Sequence, residues 1–128
     1  MNDIKFQQTL DAGNYLVHVC HGAAKAGGWW SDINTGEPLN RNVGELLMLI
    51  VSEIAEGMEG HRKNKMDDKL PHRKMLEVEL ADAVIRICDL AGGLEFDLGS
   101  VIAEKMAFNA QREDHKIEAR LAADGKKY

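Results

Sequence analysis

Aromatic side chains are scarce in this sequence, at 5% of 128 residues, so aliphatic side chains must build most of its core. Cysteine is scarcer still. Cys20 and Cys88 are the only two, and both sit in apolar helical stretches, which opposes a disulfide framework and predicts two buried thiols in a reducing compartment. No surplus of basic residues exists either. A formal charge of -5 opposes general binding to DNA or RNA, which depends on a basic surface that displaces counterions. A nucleotide is not excluded, because a metal cation can sit between an acidic protein and a polyphosphate. Long apolar runs are also missing. The longest, Leu46 to Val51, falls far short of the roughly 20 residues that span a bilayer. The opening Met1-Asn2-Asp3 lacks a basic region followed by an apolar run, so no secretory signal is expected. These absences together predict a soluble, cytoplasmic chain with no nucleic-acid polymer or membrane as partner. No strand pattern of useful length and no internal repeat is found.

What is present is helical periodicity. The 45% hydrophobic content is normal for a globular protein, and the length suits one domain over residues 1–128, with a core at about 3–115 and a polar tail at 116–128. Ile4, Phe6, Leu10, Tyr15, Val19 and Ala23 predict a first helix from about Ile4 to Ala26, weakened by Gly13 and Gly22. The glycines, Asn34 and Pro38 make residues 27–41 a loop, long for a small domain and holding both Trp29 and Trp30. A second helix follows from an Asn42 N-cap to about Lys63 or Lys65, with Leu46, Ile50, Ile54 and Met58 on one stripe. Leu46 to Val51 is apolar all round, a pattern that predicts burial on more than one side and hence a subunit partner. After a linker in which Pro71 can open the next helix, a third is expected over His72 to Ala91, with Leu76, Leu80, Ala83, Ile87 and Leu90 on one stripe. Gly92-Gly93 is its expected stop. A fourth runs from about Asp97 to Asp114. The fold class is therefore all-α, a four-helix arrangement assembled as a homo-oligomer, dimer or tetramer.

Two pairs of acids stand out against this background. Glu53 and Glu56 are three apart on the second helix, and Glu79 and Asp82 are three apart on the third. That spacing puts each pair on one helical face. Both pairs adjoin apolar stripes, where an uncompensated carboxylate is costly. They must therefore pair with cations, take up protons or bind a metal. Oxygen-only ligands select a hard cation, magnesium or manganese, and not zinc. The plainer alternative is two pairs of solvated acids in helical salt bridges, but their recurrence on consecutive helices beside the core weighs against it.

The string Ser52-Glu53-Ile54-Ala55-Glu56, followed by Glu79-Leu80-Ala81-Asp82, resembles the ExxE…ExxD signature of the MazG-like all-α NTP pyrophosphohydrolases. Many members carry a glutamate where this chain has Ser52, but all four ligand positions are filled. Lys105, Asn109 and Arg112 on the fourth helix match the K…N..R pattern that follows in many members. The Gly-Trp-Trp-Ser-Asp run resembles a phage and bacterial subgroup, and the similarity covers roughly residues 28–115. The resemblance implies a MazG-like bundle that hydrolyses a nucleoside triphosphate, with ribose or deoxyribose, to the monophosphate and pyrophosphate. Glu53, Glu56, Glu79 and Asp82 would hold Mg²⁺, for which Mn²⁺ can substitute, with Glu53 or Glu56 the candidates to orient water as a base. Lys105 and Arg112 would neutralise phosphate charge, and Asn109 would bond sugar or phosphate.

Other residues carry weaker signals. Trp29 and Trp30 are candidates for stacking on a base, one of them doing so while the other anchors the core or an interface. Arg62, at the end of the second helix, can reach toward a phosphate. Arg86 reads as a structural partner of Asp82 or Asp89. His18 and His21, three apart, lack the second ligand pair that zinc requires, so a place near the nucleobase suits His18 better. Two other functions compete. A ferritin-like di-iron protein needs Glu-x-x-His motifs, and none of the five histidines has a glutamate three residues before it. A non-enzymatic helical oligomer acting through protein contacts would leave the acids solvated.

Overall fold

The computed structural model describes residues 1–128 and is all-helical: α1 (Asp3–Ala26), α2 (Val43–Lys63), α3 (Met75–Gly93), α4 (Leu98–Ala110) and a short α5 (Ile117–Leu121), with a 3₁₀ turn at Glu113–His115. No strand forms, and the only β-type pairings are two isolated bridges, Ser31 with Pro38 and Met66 with Lys74. No helix is long and apolar enough to cross a membrane. The chain divides into two compact units, Leu16–Phe96 and Met1–Tyr15 with Asp97–Tyr128.

In the unit Leu16–Phe96, α2 and α3 form the main packed pair. Glu53 meets Arg86, Gly57 lies by Leu76 and Glu79, and Gly60 lies by Met75, so numbers rise on one helix as they fall on the other. The pair is antiparallel. Gly60 sets its closeness: a Cβ there would come within 2.7 Å of the Met75 Cβ. Asn42 caps α2 by accepting the Glu45 N–H at 3.0 Å, as its position in the sequence predicts. The helix ends when Asn64 adopts a left-handed conformation (φ 49°) and folds its N–H back onto the last turn.

The boundaries of α3 differ from expectation at both ends. Pro71 does not open the helix. It lies in a turn in which Arg73 N–H reaches Leu70 O, and the helix begins at Met75, where Glu77 accepts the Lys74 N–H at 2.9 Å. Gly92 and Gly93 do not stop it either; they are its last two residues, and the left-handed turn falls on Glu95 (φ 59°). The two glycines serve packing instead, since side chains there would collide with His21 and Trp30.

The expected stripes also rotate. The inner face of α2 is Leu46, Ile50, Glu53, Gly57 and Gly60, while Ile54 and Met58 turn outward. On α3 the inner face carries Glu79, Ala83 and Leu90, and Leu80 and Ile87 are exposed. Buried apolar residues are few: Leu46, Ala83, Cys88, Leu90, Ala91 and Ala103. Two glutamates share that interior. Cys88 is buried and Cys20 half-buried, both as free thiols; burial, then the neighbouring Cys20, pushes the Cys88 thiol up.

In the other unit, Gly13 does not interrupt α1 but lets α4 approach, since a Cβ there would lie 2.8 Å from Gly99 Cα. Asn14 locks the crossing, donating to Asp97 at 2.7 Å and accepting the Gly99 N–H at 2.8 Å. Asp97 in turn caps α4 through Ser100. α4 stops at Ala110, short of the expected Asp114. The polar tail is not loose chain: Lys126 pairs with Asp114 at 3.0 Å, and Arg120 donates to the Lys126 carbonyl.

Candidate metal centre

Antiparallel packing of α2 on α3 brings three of the four sequence-marked acids together. One carboxylate oxygen from each of Glu53, Glu56 and Glu79 lies within 4.8 Å of the other two. Glu53 and Glu79 are each only 8% exposed, whereas Glu56 faces solvent. Asp82, one turn after Glu79, does not join this cluster. It is half-buried and lines a cleft of about 740 Å³ that Glu53 also lines.

The charges are unequal. Glu79 is pushed up to about 8, first by the hydrogen bond it shares with Glu53, then by burial and by the charges of Glu56 and Glu53. Glu53 moves the other way. Burial opposes its charge, but hydrogen bonds from Glu79 and Arg86 outweigh that and hold it below the ordinary value. The two carboxyls titrate together, with Glu79 taking up a proton more readily than Glu53. Burial, then Glu53, raises Asp82. Arg86 Nε donates to Glu53 Oε1 at 2.8 Å, correcting the expected pairing with Asp82 or Asp89.

One atom is left over. Glu79 Oε2 is buried and has no hydrogen-bond partner. An orphaned carboxylate oxygen amid two further carboxylates fits a hard divalent cation, which takes oxygen ligands and offsets their repulsion. The donor set excludes a preference for soft metals.

The tryptophans divide their duties. Trp30 is anchored: its indole N–H donates to Asp89 Oδ1 at 2.8 Å, His21 meets its ring edge-on, and the Arg41 guanidinium lies 5.4 Å from its centre. Trp29 is 68% exposed and lines the cleft. The loop carrying both is braced by Asp32, which accepts the Asn34 and Thr35 N–H groups at 2.9 Å.

His18 is exposed and lies outside the cleft lining; its neighbour His21 is the histidine that engages α3, through Asp89. Arg62 is exposed in the last turn of α2, also outside that lining. Lys105, Asn109 and Arg112 belong to the other unit. There Lys105 lies 4.9 Å from the Phe108 ring centre, Arg112 grips Asp114 at 3.0 and 2.8 Å, and Asn109 Oδ1 is buried without a partner. Sequence reasoning missed Asp89 and Arg41 as cleft residues. The only advance signal for Asp89 was an acid seven residues after Asp82, on nearly the same helical face. Compared with protein-family models, curated proteins and solved structures, the chain matches none.

Proposed function

We propose that this chain is a Mg²⁺-dependent nucleoside triphosphate pyrophosphohydrolase of MazG-like type, converting a (d)NTP to the (d)NMP and pyrophosphate. The observation that carries the reading is the convergence of Glu53, Glu56 and Glu79 within 4.8 Å, two of them buried, with Glu53 also lining an open cleft. The cleft volume of about 740 Å³ lies within the range of small-molecule sites, roughly 300–1,000 Å³.

The residues divide the work by environment. Glu53, fixed by Arg86, and Glu79, with its orphaned oxygen, would be the inner ligands, joined by Glu56 from the solvent side and by Asp82 from the cleft side. Glu56, exposed, is the carboxylate best placed to orient a water molecule and accept its proton. Bound Mg²⁺, or Mn²⁺ in its place, supplies charge for the polyphosphate oxygens and acidifies water. Trp29 gives a flat face for the base. Arg62 remains a proposed phosphate contact; Lys105, Asn109 and Arg112 are proposed as substrate-binding residues on the family resemblance alone, and Arg112 must release Asp114 to serve.

The assembly proposed is a homo-oligomer in the cytoplasm. Leu47, Val51, Ile54 and Met58 form an exposed apolar stripe on α2, every one about half exposed, and free thiols suit a reducing compartment. The test of function is a screen of the common NTPs and dNTPs with Mg²⁺ and with chelator, scoring pyrophosphate against orthophosphate. Pyrophosphate released only with metal is expected. Orthophosphate alone, or no turnover of any nucleotide, refutes the proposal.

A further inference from the structure

The cleft holds a carboxylate that the proposed chemistry does not use. Asp89 Oδ1 takes two hydrogen bonds, from the Trp30 indole at 2.8 Å and with His21 Nδ1 at 2.9 Å, and these fix the group against rotation. Its other oxygen, Oδ2, makes no hydrogen bond within the chain and is not among the sealed polar atoms, while Asp89 itself lines the cleft. Arg41 lines the same cleft, its guanidinium stacked near Trp30 and its N–H groups given to no acceptor in the chain. Leu49, Ile85 and the exposed face of Trp29 supply apolar walls. A fixed acceptor, free donors and flat apolar surfaces together describe a pocket for a polar heteroaromatic ring.

We propose that this cleft selects a nucleotide whose base carries an amino group, read by Asp89, against uracil and thymine. The inference rests on the nucleotide reading of the neighbouring acids. Cytosine and uracil have the same outline but opposite edges, an amino donor beside a bare ring nitrogen in cytosine and a carbonyl acceptor beside a ring N–H in uracil. The free Asp89 oxygen welcomes the donor and repels the carbonyl. Uracil's own N–H does not rescue it, because that donor is flanked by two carbonyls. Arg41 suits the carbonyl that cytosine and guanine retain beside their donors.

Asp89→Asn makes the test sharp. The asparagine carbonyl can keep the bonds to Trp30 and His21, while its amide turns the free position from acceptor to donor. Binding of CMP and UMP to the full chain is measured by calorimetry, which requires no turnover. The wild type is expected to bind CMP tighter by roughly tenfold to a hundredfold, the range for a hydrogen bond to a charged group. In Asp89→Asn that ratio falls to one or inverts, with the far-ultraviolet circular dichroism unchanged. Equal binding of CMP and UMP by the wild type, binding of neither, or an unchanged ratio in the variant overturns the proposal. Should the variant misfold, AMP against IMP applies the same amine-for-carbonyl exchange to the wild type, and equal affinity there overturns it too. Selective CMP binding without hydrolysis of CTP refutes the hydrolase and spares the pocket. Equal CMP and UMP binding with brisk CTP and UTP hydrolysis does the reverse.

Discussion

Replacing Glu79 by glutamine removes the proton that the acid cluster must otherwise hold, and the consequence for stability can be worked out. Glu79 titrates near its ordinary 4.5 in the unfolded chain and at about 8 when folded. Above about pH 8 the folded state carries an ionised Glu79 beside Glu53 and Glu56, and the full penalty applies. As pH falls from about 8 to about 5 the folded state binds the proton first, so the apoprotein gains stability across that window. The whole shift corresponds to roughly 5 kcal/mol at about 1.4 kcal/mol per unit. Sharing of the proton among three carboxylates, one of them open to water, reduces the expected effect to about 2–3 kcal/mol. A glutamine amide can donate to Glu53 as the protonated acid does, yet carries no charge at any pH. Glu79→Gln should therefore be more stable than the wild type by about 2 kcal/mol near pH 8 and within about 0.5 kcal/mol near pH 5. The assay is urea unfolding in chelator at both pH values, followed by circular dichroism. Addition of Mg²⁺ should stabilise the wild type and not the variant. A variant less stable than the wild type at both pH values, by a constant amount, would refute the electrostatic reasoning.

Three further outcomes are expected. Trp30→Phe leaves Asp89 with one bond instead of two and should cost about 1–2 kcal/mol of stability, whereas Trp29→Ala should change stability by less than about 0.5 kcal/mol and weaken nucleotide binding; urea unfolding and calorimetry separate the two. Val51→Lys with Ile54→Lys places charge on the exposed α2 stripe, so light scattering should report a dimer or larger for the wild type and a monomer for the variant. Lys105→Ala and Arg112→Ala should each lower kcat/KM by at least about tenfold with helix content intact, and Arg112→Ala should let the Asp114 carboxyl rise part of the way toward its ordinary range, Lys126 still holding it down.

Helices were legible because their start signals are local. Asn42 and Asp97 each cap the helix expected to follow them. Three of the four acids were legible for a related reason: i,i+3 spacing fixes a shared face on one helix, and antiparallel packing brings Glu79 to Glu53 and Glu56 while leaving Asp82 outside the cluster. What the sequence hid was rotation about each axis. Of the expected α3 stripe, Ala83 and Leu90 are buried but Leu80 and Ile87 are exposed, because the inner face is turned toward Glu79 and hydrophobicity alone does not place a carboxylate in the interior. Gly92-Gly93 read as a stop when its use is to admit His21 and Trp30, a distant contact that no local rule contains. Arg86 was assigned to acids on its own helix; its partner Glu53 lies 33 residues away.

The most direct measurement is the position of Mn²⁺ by anomalous scattering in crystals grown with a non-hydrolysable α,β-imido nucleotide. Peaks are predicted about 2.0–2.3 Å from carboxylate oxygens of Glu53, Glu56 and Glu79, with the nucleotide phosphates on the same ions. Strong manganese peaks elsewhere on the chain, with none among these three carboxylates, would contradict the account.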